Sequence, residues 1–491
     1  MNYISVQNHQ IFEIEKIPVL TKNEFEKTIE DLLEKGNRMI TYSPYDKNKK
    51  ETVIAVLADK NESCFYLCGC RLAANDFMVK SFANKYPHTN YFECELAENF
   101  NYKIENHPWL RPVRKQNFIN NNKYEFFKLE GEEVHEVAVG PVHAGVIEPG
   151  HFRFQCHGEL VYNLESNLGY QHRGIEELIL KTPLKKQVQL AESIAGDTTI
   201  GHALTNCMAI EALSNTKVPL RAEVIRGIAS ELERIAMHLS GLIGLANDVG
   251  FALPSSSYGR IRTLVINSLA ALCGNRFGRG LLKYGGVRFD FNDEIVTYVK
   301  KELTTVWTDV KKINDYLFSS IGALARFEET GIVEGKLAED VALVGPAGRS
   351  CGLEEDVRVN FPYGVYRFTP ITVITLATGD VFARAKIRAL EIEESFKFVF
   401  DQLNNLPTGN INTKEGNLLP NCGVISVTEG WRGEIVHVAF TNSDSALCGY
   451  KIKDPSFNNW YGLSLALRKT AISDFPLCNK SFDLSYAGHD L

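Results

Sequence analysis

The sequence predicts an α+β protein, with a small α+β unit over 1–125 followed by a mainly helical domain over 134–491. Three observations lead there. Two apolar runs follow an amphipathic stretch near the start, as in a half-buried sheet with a covering helix. Long 3.6-residue hydrophobic rhythms dominate the rest. The length of 491 residues allows two to four domains and a large core.

Asn23–Lys35 alternates charged and apolar residues at helical spacing. Thr52–Ala58 and Ser63–Cys70 read as strands. Arg114–Tyr124, mostly polar with three consecutive asparagines, reads as a linker. In Leu220–Asn247, Ile225, Ile228, Leu232, Ile235, Leu239 and Leu242 share one helical face. A second long helix is predicted after Asn292, a candidate N-cap, with its rhythm running through Ile321 and Leu324. A third runs from about Asp380 to Leu403, and Asp401–Gly416 reads as a surface loop. Together the long helices predict a bundle-like core.

Composition removes several functions. Asp+Glu exceed Lys+Arg by 60 to 53, unlike a nucleic-acid binder. No run of 18 apolar residues spans a bilayer, and the first residues lack a signal-peptide layout. Eleven scattered cysteines, an odd number, suit reduced cytosolic thiols better than a disulfide framework. No glycine-rich phosphate loop is present, which argues against a nucleotide held in the usual way.

Cys64, Cys68 and Cys70 form the densest thiol cluster and share strand parity, so they could hold zinc or part of an iron–sulfur cluster. The run is apolar, however, and has no nearby fourth ligand. The richest region for chemistry is Gly140–Glu177. His143 and His151 stand among Gly and Pro there, and His172, Arg173 and Glu176 surround a helix start. Such groups can carry protons, or simply cap turns and a helix.

Six stretches, two of them within that region, fit one family: GPVHAGVIEPGHFRF, LGYQHRGIEE, AGDTTIGHALTNCMAIEAL, ELERIAMHLSGLIGLANDVGF, VGPAGRSCGLEEDVRVNFPYGVY and DFPLCNKSFDLSYAGHD. Together they resemble the large subunit of energy-converting nickel–iron hydrogenases and the forty-nine-kilodalton-type subunit of respiratory complex I. Phe82–Arg114, ending in HPWLRPVR, is similar to the end of the thirty-kilodalton-type subunit fused ahead of it in hydrogenase-4 and formate-hydrogenlyase large subunits. The resemblance implies a thirty-kilodalton-like portion over 1–125 and a forty-nine-kilodalton-like portion over 134–491.

The departures decide the expected function. The family's nickel–iron centre hangs on two CxxC pairs, whose positions here are Ala195 and Thr198, then Ser485 and Gly488. Alanine and glycine offer no ligand atom, and hydroxyls are poor substitutes for thiolates at nickel. No working hydrogenase and no metal of its own is expected. Complex I relatives use the vacated space for a quinone, held by a His in the GPxH loop and a Tyr. His143 matches the first, but the Tyr position falls at Gly196, leaving a degenerate quinone pocket. By resemblance, Glu176 of RGIE is a proton relay, and Arg432, followed by Glu434, overhangs the cavity. Asp197 is this sequence's own addition, either a proton carrier or a partner for Arg432 or Arg173. His143, Glu176, Asp197 and Arg432 are expected to share one pocket.

The implied role is a peripheral subunit on the cytoplasmic side of the membrane, in a complex coupling electron transfer to ion translocation. Its implied partners are an iron–sulfur small subunit of the twenty-kilodalton complex I type and antiporter-like membrane subunits. Electrons would come from NAD(H) or ferredoxin on partner subunits, and quinone is the candidate acceptor. The alternative is a redox-silent coupling subunit.

Overall fold

The computed structural model describes residues 2–73, 77–115, 126–143 and 147–491. The first predicted helix is α1 (Lys22–Glu34). Thr21 caps it by accepting from the Glu24 N–H, and the Glu24 carboxylate accepts from the Thr21 N–H in return. Phe25, Ile29 and Leu32 form its buried stripe. Around it lie β1 (Ile4–Gln7), β2 (Ile11–Glu13), β3 (Val19–Leu20), β4 (Arg38–Pro44), β5 (Thr52–Asp59) and β6 (Cys64–Arg71). The sheet order is β1-β6-β5-β4, with β3 parallel on β6. The unit is completed by β7 (Met78–Lys80), α2 (Asn90–Phe100) and β8 (Lys103–Glu105).

The alternation of β6 settles its cysteines. Phe65 and Leu67 join the large core, while Cys68 and Cys70 face α1 among Phe25, Ile29 and Leu32. Burial pushes the Cys68 thiol up to about 12 and the Cys70 thiol up to about 11, so both pack as small apolar groups. Among the described residues no three His, Cys, Asp or Glu side chains are grouped to hold a metal.

An antiparallel sheet follows: β9 (Val134–Val139), β10 (His151–His157) and β11 (Leu160–Asn167). Next come α3 (Ile175–Lys181), α4 (Leu184–Ala191), α5 (Thr199–Leu213), α6 (Leu220–Asp248) and α7 (Ala252–Cys273). After the small ribbon β12 (Leu282–Lys283) and β13 (Gly286–Val287) comes α8 (Asp293–Phe318), capped by Asn292 as the sequence predicts. The predicted rhythm through Leu324 breaks at Ser319–Ser320, where the Ser320 hydroxyl caps a new helix, α9 (Ile321–Phe327). Short helices α10 (Gly335–Asp340), α11 (Gly345–Arg349) and α12 (Val357–Asn360) lead to α13 (Val381–Asn404). The predicted loop from Asp401 therefore begins only after Asn404.

The antiparallel strands β14 (Cys422–Gly430), β15 (Gly433–Thr441) and β16 (Leu447–Lys453) then form a further sheet. The remaining helices are α14 (Pro455–Ala466), α15 (Phe475–Phe482) and α16 (Tyr486–Asp490). α6 packs between α7 and α13, and α5 lies on β14 and β15. The sheet of β14, β15 and β16 takes β2 as its fourth strand, with Ile11 opposite Val424. Val6, Phe12, Ile54 and Phe65 consequently join the same apolar core as α5 and α6. Residues 116–125, which take in most of the expected linker Arg114–Tyr124, lie outside the described residues.

Candidate functional site

The loop entering α5 carries Ala195–Thr198, and the start of α16 carries Ser485–Gly488. Both are tied to the segment before α3. Arg173 donates from Nη1 to the Ser193 carbonyl (2.6 Å), and from Nη2 to the carbonyls of Ile194 (2.8 Å) and Ala487 (3.2 Å). Five guanidinium donors in a rigid fork suit such stapling of two loops. Arg173 is thus committed to backbone and does not pair with Asp197.

Arg432 does. Its Nη1 and Nη2 reach Asp197 Oδ1 and Oδ2, each at 2.6 Å, and Nη1 also donates to Thr198 Oγ1 at 3.1 Å. Nε donates to the Asp483 carbonyl, just ahead of Ser485. The guanidinium lies 3.9 Å from the Trp431 ring centroid, and Trp431 Nε1 donates to the Asp197 carbonyl. Arg432, from the turn between β14 and β15, thus closes a cage over the two former metal loops, gripping the first through Asp197 and reaching the residue two ahead of the second through the Asp483 carbonyl. The pair is lopsided: the Arg432 side chain is 4% exposed and that of Asp197 39%.

Under the pair lies a buried chain absent from the predicted site. Asp454 Oδ2 accepts from His202 Nε2 at 2.9 Å. That leaves His202 Nδ1 to accept from His437 Nε2 (3.2 Å), and His437 Nδ1 to accept from the Tyr450 hydroxyl (2.8 Å). Burial alone would raise the Asp454 carboxyl, but the His202 hydrogen bond and the Arg432 charge hold it below the usual range. Burial drives His437 well below the usual imidazole value, so it is neutral. Glu233 accepts the Ile200 and Gly201 N–H groups at the start of α5 (2.7 and 3.1 Å). Burial pushes it up to about 8, with the Asp197 charge adding to the effect.

The expected single pocket is not what the chain forms. Glu176 accepts from the Ile452 N–H (2.9 Å) and pairs with Lys451 (3.1 Å), which also pairs with Glu95 (2.5 Å). It lines a cleft of about 140 Å³ with Arg114, His172, Leu180 and Phe100, and none of His143, Asp197 or Arg432 takes part. His143 donates from Nε2 to the Gly150 carbonyl at 2.8 Å, closing the neck of the β9–β10 hairpin. Its loop meets the former second metal loop, where Glu148 accepts from Tyr486 N and Ala487 N. Glu434 turns away from the cage to Arg38 (2.6 Å) and Lys453 (2.6 Å), locking the N-terminal unit to β15 and β16.

Neither implied group fits. Ala195 and Gly488 present no donor, and a Cβ on Gly488 would fall 2.6 Å from the Asp454 carboxylate. For a quinone, the His143 imidazole is already bonded to Gly150, and Gly196 supplies no hydroxyl.

Behind the cage stands an ionic lattice. Arg349 donates to Glu391 (2.9 Å) and Glu429 (2.9 Å), and Arg358 pairs with Asp356 (2.6 Å) and Glu231 (2.9 Å). Arg234 pairs with Glu231 (3.1 Å), and His238 donates to Glu391 (2.8 Å). Arg388 links the lattice to the cage, donating to the Ser481 and Phe482 carbonyls from beside Trp431.

A family model described as "Respiratory-chain NADH dehydrogenase, 49 Kd subunit" matches residues 248–421. The chain is 30% identical over 350 residues to the carbon monoxide-induced hydrogenase of Rhodospirillum rubrum, covering 71% of this chain and 96% of that protein. It is 32% identical over 312 residues to the C/D-type NADH-quinone oxidoreductase protein of Bacteroides thetaiotaomicron, 62% of this chain and 58% of that one. Its fold is similar, with TM-score 0.69 and 23% identity, to a chain in the structure of the membrane-bound sulfane sulfur reductase, an archaeal respiratory membrane complex. That match covers 73% of this chain and 99% of the other.

Proposed function

Because the chain belongs to the family uniting the 49 Kd subunits of respiratory NADH dehydrogenases with membrane-bound hydrogenase large subunits, we propose that it is the coupling subunit of a membrane-bound respiratory complex, without hydrogen chemistry of its own. In this reading an iron–sulfur small subunit of the twenty-kilodalton type docks at the cage. NAD(H) or ferredoxin supplies electrons through other subunits, and antiporter-like membrane subunits move the ion. The chain itself would be peripheral, on the cytoplasmic side; among the described residues no helix is long and apolar enough to cross a membrane. Residues 1–125 and 134–491 would be its thirty-kilodalton-like and forty-nine-kilodalton-like portions.

The observation that carries the proposal is Arg432, which holds Asp197 of the first former metal loop in a bidentate pair and the Asp483 carbonyl just ahead of the second. A cage bridged by its own ion pair offers a bistable contact at the surface rather than a seat for a reacting centre. Charge arriving on a neighbouring subunit would change the balance of such a pair, which buried Arg432 and half-exposed Asp197 hold in place. Glu233, raised by burial and by Asp197 to about 8, stands near it as a carboxyl that holds a proton at neutral pH and can release it when the local charge changes.

Membrane vesicles bearing the intact complex test this by separate readouts of donor oxidation and ion gradient. Arg432→Met should lower the gradient formed per electron several-fold while donor oxidation holds. A fall in both by the same factor would instead make the cage the site of electron transfer.

A further inference from the structure

Gly488 has the backbone of the first turn of α16, where an alanine would ordinarily be welcome. The space around it forbids one. A Cβ there would stand 2.6 Å from both Cγ and Oδ2 of Asp454, closer than Cβ atoms come to any neighbour, and 3.0 Å from Oδ1. The carboxylate cannot swing aside cheaply. Asp454 caps α14 by accepting from Ser456 N (2.8 Å) through Oδ1, and its Oδ2 holds His202. His202 is locked in turn by His437, and His437 by Tyr450. Tyr450 is steadied by Asn206, which donates to its oxygen at 2.7 Å.

The place and the charge both matter. A thiolate at 488 would project to where the Asp454 carboxylate now lies, beside Arg432 and within reach of His202. We propose that Asp454 is a tethered anion filling the position of a lost thiolate, so that this carboxylate, and not only the missing cysteines, shuts the cage to a soft divalent metal. The four cysteine positions and Asp454 then form one linked set. Restoring the thiols alone produces a clash at 488, and a metal can enter only when residue 454 is shortened as well.

This goes beyond the coupling proposal and is tested without partner subunits, so either can fail alone. The purified full chain with Ala195→Cys, Thr198→Cys, Ser485→Cys and Gly488→Cys is incubated with Ni²⁺ under reducing conditions and desalted. Its metal content is compared with that of the natural chain. The expected gain is near zero with Asp454 present and about one nickel per chain when Asp454→Ala is added. One extra nickel in the four-cysteine chain that retains Asp454 would overturn the proposal. So would none in either background.

A second measurement avoids heavily altered chains. Gly488→Ala alone should lower the melting temperature by about 5 °C or more, and by no more than about 2 °C beside Asp454→Ala. Equal shifts in the two backgrounds would mean that Asp454 does not occupy the space, and would refute the proposal.

Discussion

The ionic lattice and the neighbouring cage use the same residue types, arginine, carboxylate and histidine, yet differ in how they meet water. In the lattice every member is buried: Arg349 and Arg358, with Glu231, Glu391, Glu429 and Asp356 between them, all keep relative exposures of 6% or less. In the cage one partner of the pair, Asp197, is more than a third exposed. A buried charge that loses its partner is left uncompensated, whereas a half-exposed one is rescued by solvent. The lattice therefore acts as framework, and the cage is the place where charge can change at tolerable cost.

The hardest test of that contrast is Glu391→Gln, which strips Arg349 and His238 of their shared anion. It should cost about 3–5 kcal/mol in denaturant unfolding; under about 1 kcal/mol would end the claim that the lattice is framework. Next comes pH. The arginine partners hold Glu231 at about 2 and Glu391 well below its ordinary value, despite burial. Their stabilisation is present above pH 4.5 and is lost as pH falls toward 2. Burial and the nearby Asp356 charge push Glu429 up to about 7. Its contribution runs the other way, present below pH 4.5 and lost as pH rises through 7. Glu429→Gln should therefore flatten a decline of a few kcal/mol between pH 5 and 8, leaving the part that Glu233 adds. Melting temperatures across that range that change in parallel for both chains would contradict it.

Asp197→Asn sharpens the other side. The amide oxygen introduced at 197, the Asp483 carbonyl, Thr198 and the nearby Asp454 carboxylate remain for the buried Arg432 and should limit the loss to about 1–2 kcal/mol. A loss equal to that of Glu391→Gln would erase the difference between the regions. The smallest effect lies outside both: Asn292→Ala removes one exposed cap of α8 and should cost about 1 kcal/mol or less by the same assay.

What is legible in the sequence follows the same division between faces. α1, α6, α8 and α13 each keep an apolar stripe, so their rhythm survives in one dimension. α5 is buried on all sides except at Ala212, and β14 and β15 are buried throughout. Without a polar face they have no period to detect. Of the site, Arg432 is one of two partners that the sequence leaves open to Asp197, and the other, Arg173, is spent on backbone carbonyls. Asp454 and His202 lie 252 residues apart, and no local pattern joins them. The one available hint is Asp454-Pro455, a cap followed by proline at a helix start. Resemblance draws Glu176 toward the cage, but Lys451 and the Ile452 amide hold it in the other cleft.

The insertion of β2 beside β14 has a consequence for how the chain is made. Asn8 exchanges hydrogen bonds with Val427, 419 residues further along. At a synthesis rate of roughly 5–20 residues per second, the early segment waits on the order of 20–80 s for its partner strand to emerge. During that wait, β2 and the apolar side of the first sheet have nothing to cover them. A companion protein, or an early partner subunit, shielding the nascent 1–115 segment would then decide how much of the product reaches its final form. Slowing translation after residue 115 should lower the yield of soluble chain more than slowing it after residue 441.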